Sequence, residues 1–165
     1  MNLETINFDD FMSYDHKIRR QIINDPELLK IMVRKNIKEK RYLHSLSVAV
    51  LAKELALCHH VDPEKAYIAG LLHDVIEDTK YTLQDIADKG AERDVVEALS
   101  LLTHKKNQPY SEYLDRIIDS NNPIAIAVKK NDLLDNLARN DKATEAKQRI
   151  FEKHSRAIER LMAEG

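Results

Sequence analysis

Residues 66–79 read AYIAGLLHDVIEDT: seven uncharged residues, then His73, Asp74, Glu77 and Asp78 within six positions. The preceding VDPEK supplies Asp62 as an N-cap and Pro63 at the first helical position, so a helix starts there and runs through the apolar segment. Unpaired charge at the end of a buried helix is costly, and these four groups therefore need partners. The same punctuation recurs along the chain. Asp25-Pro26 opens NDPELLKIMVRKNI, Thr82 to Asp85 spells a capping box, and Asn122-Pro123 opens NNPIAIAVKK.

Between these starts, HSLSVAVLAKELAL is apolar on nearly every side and is expected to be central, while DVVEALSLLT is amphipathic. TEAKQRIFEKHSRAIERLM predicts a long C-terminal helix with Ile150, Phe151, Ile158, Leu161 and Met162 as core candidates. No stretch alternates with the period of a strand. Three glycines, four prolines and no tryptophan in 165 residues also favour helices over turn-rich sheets. The expectation is an all-α, compact single-domain bundle of about eight helices. It comprises residues 1–165, with core motifs in 41–139 and a C-terminal helix in 140–165.

A net charge of −2, with acids and bases intermixed, gives no footprint for nucleic acid or an anionic membrane. Apolar runs fall well short of the ~20 residues that span a bilayer. The polar start MNLETINFDD is no secretory signal, and one cysteine excludes an internal disulfide, which together point to the cytoplasm. Cys58 itself reads as a small buried residue rather than a reactive thiol. A small-molecule partner is expected, and a homo-oligomer is compatible with the composition.

His73 and Asp74 can offer one imidazole nitrogen and one carboxylate oxygen to a divalent cation. Two further ligands must come from elsewhere. His44 in RYLHSLSVAV and Asp132 in AVKKNDLLDNL are the candidates. Each alone reads as an ordinary residue, a core histidine and an exposed helix carboxylate; their co-occurrence with His73-Asp74 points to a metal. A mixed nitrogen and oxygen set suits Mn²⁺, Fe²⁺, Co²⁺ or Zn²⁺, with Mg²⁺ also allowed. Such an ion lowers the pKa of bound water and offsets phosphoryl charge. If the helix continues past Asp74, Glu77 and Asp78 lie one turn beyond the proposed ligands and are candidates to orient water or take its proton. The competing role for both acids is to cap the turn that follows.

Asn136, four residues after Asp132, shares its face and is a candidate for substrate or ligand contact; Asp135 reads as near that face or merely solvated. Arg41, Lys105 and Lys106 are candidates for phosphate, with a solvated surface role equally open. His104, Tyr110 and Tyr113 are weaker candidates near the cleft. His59-His60 reads as a polar helix end.

The pattern His44, His73-Asp74, Asp132 resembles the HD superfamily of metal-dependent phosphohydrolases. LLHDVIEDT followed by TLQDIADKGAERDVVEALSLLTHKK is similar to the hydrolase domain of RelA/SpoT-type alarmone enzymes, whose extra Glu-Asp pair and Asn match Glu77, Asp78 and Asn136. That resemblance covers about Arg41 to Arg139. It implies an all-helical fold, usually Mn²⁺, and removal of the 3′-pyrophosphate of guanosine tetra- or pentaphosphate. The alarmone branch reads Ala-Asp-Arg-x-His-Asn where this chain has NDLLDN, so Leu133 and Asp135 stand at the Arg and His positions and imply a less cationic pocket. The front end, KRYLHSLSVAVLAKELA, resembles HD-type diadenosine tetraphosphate hydrolases instead. A hydrolase of another nucleotide, dinucleoside polyphosphate or nucleoside monophosphate, is thus the alternative. A silent nucleotide-binding regulatory module is a third reading.

Overall fold

The computed structural model describes residues 13–139 and scattered positions between 145 and 160. Among the described residues the secondary structure is entirely helical: α1 His16–Ile23, α2 Pro26–Asn36, α3 Glu39–Cys58, α4 Pro63–Leu72, α5 Val75–Asp78, α6 Leu83–Asp88, α7 Arg93–Leu102, α8 Tyr110–Ser120 and α9 Pro123–Arg139. Eight of these have six residues or more, and α5 is a single turn.

The local signals act as read. Asp25 Oδ1 accepts from the Glu27 and Leu28 amides at 2.9 and 3.1 Å, and Asp62 Oδ1 caps α4 at Glu64 and Lys65 in the same way. Thr82 and Asp85 exchange both bonds of a capping box, at 2.7 and 3.1 Å. These caps satisfy amides that a helix start leaves without partners.

The centre is α4 rather than α3. Every residue from Ala66 to Leu72 is buried, and α2, α3, α7 and α9 all pack on this helix. A helix apolar all round has to be enclosed in this way. Helix α3 instead buries one face, Tyr42, His44, Ser45, Val48, Ala49, Ala52 and Ala56, and leaves Leu43, Val50 and Leu57 exposed. Its small residues let α4 approach closely. Cys58, expected inside, is exposed because it ends α3 beyond the last residue facing α4.

Gly70 is the contact point of that approach. A Cβ there would lie 2.6 Å from the Ala49 Cα, and backbone cannot yield as a side chain does. Gly70→Ala should therefore cost about 1–3 kcal/mol, the usual penalty of overpacking, and denaturant unfolding will measure it.

The anticipated C-terminal core residues Ile150, Phe151, Ile158, Leu161 and Met162 lie outside the described residues. Of the described positions in that region, Ala157 is buried, Arg160 pairs with Asp115 on α8, and the Lys153 ammonium sits 3.9 Å from the Tyr110 ring centroid.

Candidate metal centre

Three elements converge on one point. His44 comes from the inner face of α3, Asp132 from α9, and His73-Asp74 from the step between α4 and α5. That step matters. In a continuous helix, with about 3.6 residues per turn, adjacent side chains diverge by ~100°. Here α4 stops at Leu72 and α5 begins at Val75, with His73 and Asp74 as the two residues between them, and both side chains reach the same space. His73 Nε2 lies 3.2 Å from Asp74 Oδ2 and 3.5 Å from Asp132 Oδ1. His44 Nε2 lies 2.9 Å from Asp132 Oδ1 and 3.6 Å from Asp74 Oδ2. All four residues are buried.

The outer ring nitrogens are anchored. His73 Nδ1–H donates to the Gly70 carbonyl and His44 Nδ1–H to Asp135 Oδ2, each at 2.5 Å. Both Nε2 atoms face the carboxylates, His44 Nε2 in a hydrogen bond to Asp132 Oδ1, and with Nδ1 keeping its proton each Nε2 could give up its own to bind a cation. His73 Nε2 is buried yet makes no hydrogen bond. Donor atoms of His44, His73 and Asp74 lie within 4.8 Å of one another, close enough to share an ion. An orphaned buried nitrogen beside two carboxylates fits a divalent cation, whose charge the two acids balance. No second group of three such ligands occurs among the described residues, and His59 and His60 sit exposed at the end of α3.

Burial alone would lower the His73 pKa. Asp74 and Asp132 outweigh it and hold the ring protonated well above the ordinary histidine range. For Asp132, burial acts to raise the pKa, but the Lys129 charge and both histidines bring it well below the usual carboxylate value. Without metal, the raised His73 pKa contributes stability in full below the unfolded value, and that contribution is lost as pH rises through the folded one. A cation must displace this proton. Metal affinity should thus climb with pH, up to about tenfold per unit, until the His73 proton is gone. Calorimetry in buffers of different ionisation heat should show about one proton released per ion bound at neutral pH.

Asp135 is not merely solvated. It is 9% exposed and holds His44 from behind while accepting from Arg139 Nε at 2.6 Å. The Asp135→Ala variant should lose about 10- to 100-fold in metal affinity through a loosened His44, as titration with Mn²⁺ will show. Leu133 is fully buried in the core, so it neither lines nor narrows the site. Asn136 Nδ2 donates to Asp132 Oδ1 at 3.2 Å.

The two acids of the Glu-Asp pair take different neighbours. Glu77 lines a cavity of about 180 Å³ together with His73, Asp74, Asp132, Lys129 and the ring of Tyr113. Its Oε1 accepts from the His104 amide at 3.1 Å, which aims the carboxylate over the cavity. Asp78 instead receives Arg41 Nε at 3.0 Å, and the same guanidinium reaches Asp74 Oδ2 at 2.7 Å. His104 stacks on Tyr113 with centroids 4.7 Å apart, and the Tyr113 hydroxyl donates to the Leu102 carbonyl. Lys105 and Lys106 are exposed on the loop before α8, and neither lines this cavity.

Lys129 escaped the sequence reading. It is 7% exposed, its Nζ lies 3.0 Å from Asp132 Oδ2, and it faces the Tyr113 and Tyr110 rings at 5.0 and 5.7 Å. Burial works against its charge, but Asp132 and the rings keep the ammonium protonated above its ordinary range. Tyr113 is pushed up to about 12 by burial, against the pull of Lys129, and stays neutral. The i,i+3 spacing of Lys129 and Asp132 was the available signal.

An all-helical bundle with a buried pair of histidines and pair of aspartates beside a cavity is built to hold a divalent cation. The family described as "HD domain" matches residues 41–161, and the chain belongs to it; its members are metal-dependent phosphohydrolases. No curated protein matches the chain.

Proposed function

We propose that the chain hydrolyses a phosphorylated nucleotide, and that its substrate is a guanosine tetra- or pentaphosphate from which the 3′-pyrophosphate is removed. The observation that carries this reading is the presence of Glu77 and the proposed ligands His73, Asp74 and Asp132 on the wall of one cavity. His44, His73, Asp74 and Asp132 would hold the ion, Mn²⁺ by resemblance. When bound, the ion polarises a phosphoryl oxygen and lowers the pKa of water.

The remaining work falls to the protein. Glu77, fixed by the His104 amide, accepts the proton of the attacking water. Lys129 lies on the opposite side of Asp132 from the histidines and offers positive charge toward the cavity where negative charge builds up. Arg41 ties Asp74 to Asp78 and so keeps a ligand carboxylate in place, which makes Asp78 a positioning residue in this scheme. Asn136 performs the same service for Asp132. Tyr110, Tyr113 and His104 supply flat surfaces at the cavity rim for a base or ribose.

A dinucleoside polyphosphate is the second reading. It is favoured by the core position of Leu133 and by the engagement of Asp135 with His44, since the cationic pair of the alarmone branch has no counterpart there. Turnover with Mn²⁺ on 3′-pyrophosphorylated guanosine nucleotides, dinucleoside polyphosphates and nucleoside monophosphates tests both. Release of pyrophosphate from the first group is expected. Failure on every member of that group removes the alarmone reading, and tight binding of nucleotides without turnover on any would point to a regulatory module.

A further inference from the structure

The proposed ligand cluster borders a second hollow, which Glu77 does not line. Lys40, Arg41, His44, Asn136 and Arg139 line it, with a volume of about 240 Å³. His44 is the shared wall, since its Nε2 faces Asp74 and Asp132 while its ring also borders this hollow. Three of the five lining residues are cations. Among the described residues, Arg41 commits two N–H donors to Asp78 and Asp74, and Arg139 commits one to Asp135. A guanidinium carries five such donors, so both keep several for another acceptor. Lys40 is exposed and forms no ion pair among the described residues. The carboxylates that face these cations are Asp74, Asp78 and Asp135. Asp74 belongs to the ligand cluster and Asp135 is also committed to His44.

Two adjacent guanidinium groups and an ammonium around a small polar hollow recognise phosphate, the guanidinium by paired hydrogen bonds and the ammonium as a point charge. We infer that this hollow holds a second phosphate of the substrate, apart from the phosphoryl group at the cluster, with Lys40 and Arg139 as the specificity-determining residues. This rests on the reading of the cluster as a phosphohydrolase centre. It compensates for the missing cations of the NDLLDN segment by placing positive charge one turn later, at Arg139, and on the start of α3. The chain would therefore select nucleotides carrying phosphate beyond the reacting group over those with a single phosphate.

The test is calorimetric and needs no turnover. The Mn²⁺-saturated protein is titrated with guanosine 3′,5′-bisphosphate and with guanosine 3′-monophosphate, which lacks the phosphate assigned to the hollow, and the ratio of the two affinities is compared between the wild type and the Lys40→Gln and Arg139→Gln variants. The wild type should favour the bisphosphate. Each variant should reduce that preference about two- to fivefold, the worth of one partly exposed ion pair. Lys40 is exposed, so its variant reports on the hollow without threatening the fold. An unaltered ratio in both variants, or a wild type that binds neither nucleotide, overturns the inference. A wild type that shows the preference yet hydrolyses nothing would sink the catalytic reading alone.

Discussion

Asp132→Ala is expected to destabilise the metal-free protein by about 3–5 kcal/mol, and adding Lys129→Met to it should restore most of the loss. The Lys129 ammonium is enclosed by the Tyr110 and Tyr113 rings and has Asp132 Oδ2 at 3.0 Å. Removing the carboxylate leaves a buried cation whose compensation is gone, and breaking a buried pair from one side carries a penalty of that size. Replacing both partners by apolar groups removes the charge with its counter-charge, which is often neutral for stability. For a chain of this length the single variant should melt about 6–20 °C lower. The comparison belongs in chelator, because Asp132 is also a proposed ligand and loss of a bound ion would add its own destabilisation. If the double variant is no more stable than Asp132→Ala, the cost comes from the histidines that Asp132 also contacts, and Lys129 is not the stranded charge.

That pair also shows where sequence reading stops. Helix starts were legible because caps are local: Asp25, Asp62 and Thr82 act on amides two or three residues away. His44, His73, Asp74 and Asp132 could be grouped in the sequence only through their co-occurrence, since His44 and Asp132 each read alone as ordinary residues, and their side chains do meet. Lys129 was not, since one lysine of a Lys-Lys pair in a helix has the pattern of a solvated face, and only the packing of α8 against α9 encloses it. Asp135 likewise needed α3 alongside α9 before its partner His44 came within reach. The step between α4 and α5 has no glycine or proline at positions 73 and 74 to announce it. Arg41 read as a candidate for phosphate with a solvated surface role equally open; its bonds to Asp74 and Asp78 span 33 and 37 residues of sequence, which no local pattern encodes.

Asp74→Ala and Glu77→Ala should separate metal binding from proton transfer. Asp74 Oδ2 is 3.2 Å from His73 Nε2, 3.6 Å from His44 Nε2 and 2.7 Å from Arg41. Its removal takes a proposed ligand and half of the carboxylate charge, so bound metal and activity should both disappear. The Arg41 guanidinium would then lose one of its acids and be drawn toward Asp78 alone. Glu77 Oε1 is taken up by the His104 amide at 3.1 Å. Glu77→Ala should therefore retain a full complement of Mn²⁺ by elemental analysis while kcat falls about 10²- to 10⁴-fold, the range of a lost general base. Glu77→Gln keeps the shape and the acceptor for the His104 amide but cannot take a proton, so it should be as slow as the alanine variant. Equal metal loss in Asp74→Ala and Glu77→Ala would place Glu77 among the ligands. Near-normal turnover in Glu77→Gln would assign the proton to another group, and Asp78, in spite of its bond to Arg41, would be the first to examine.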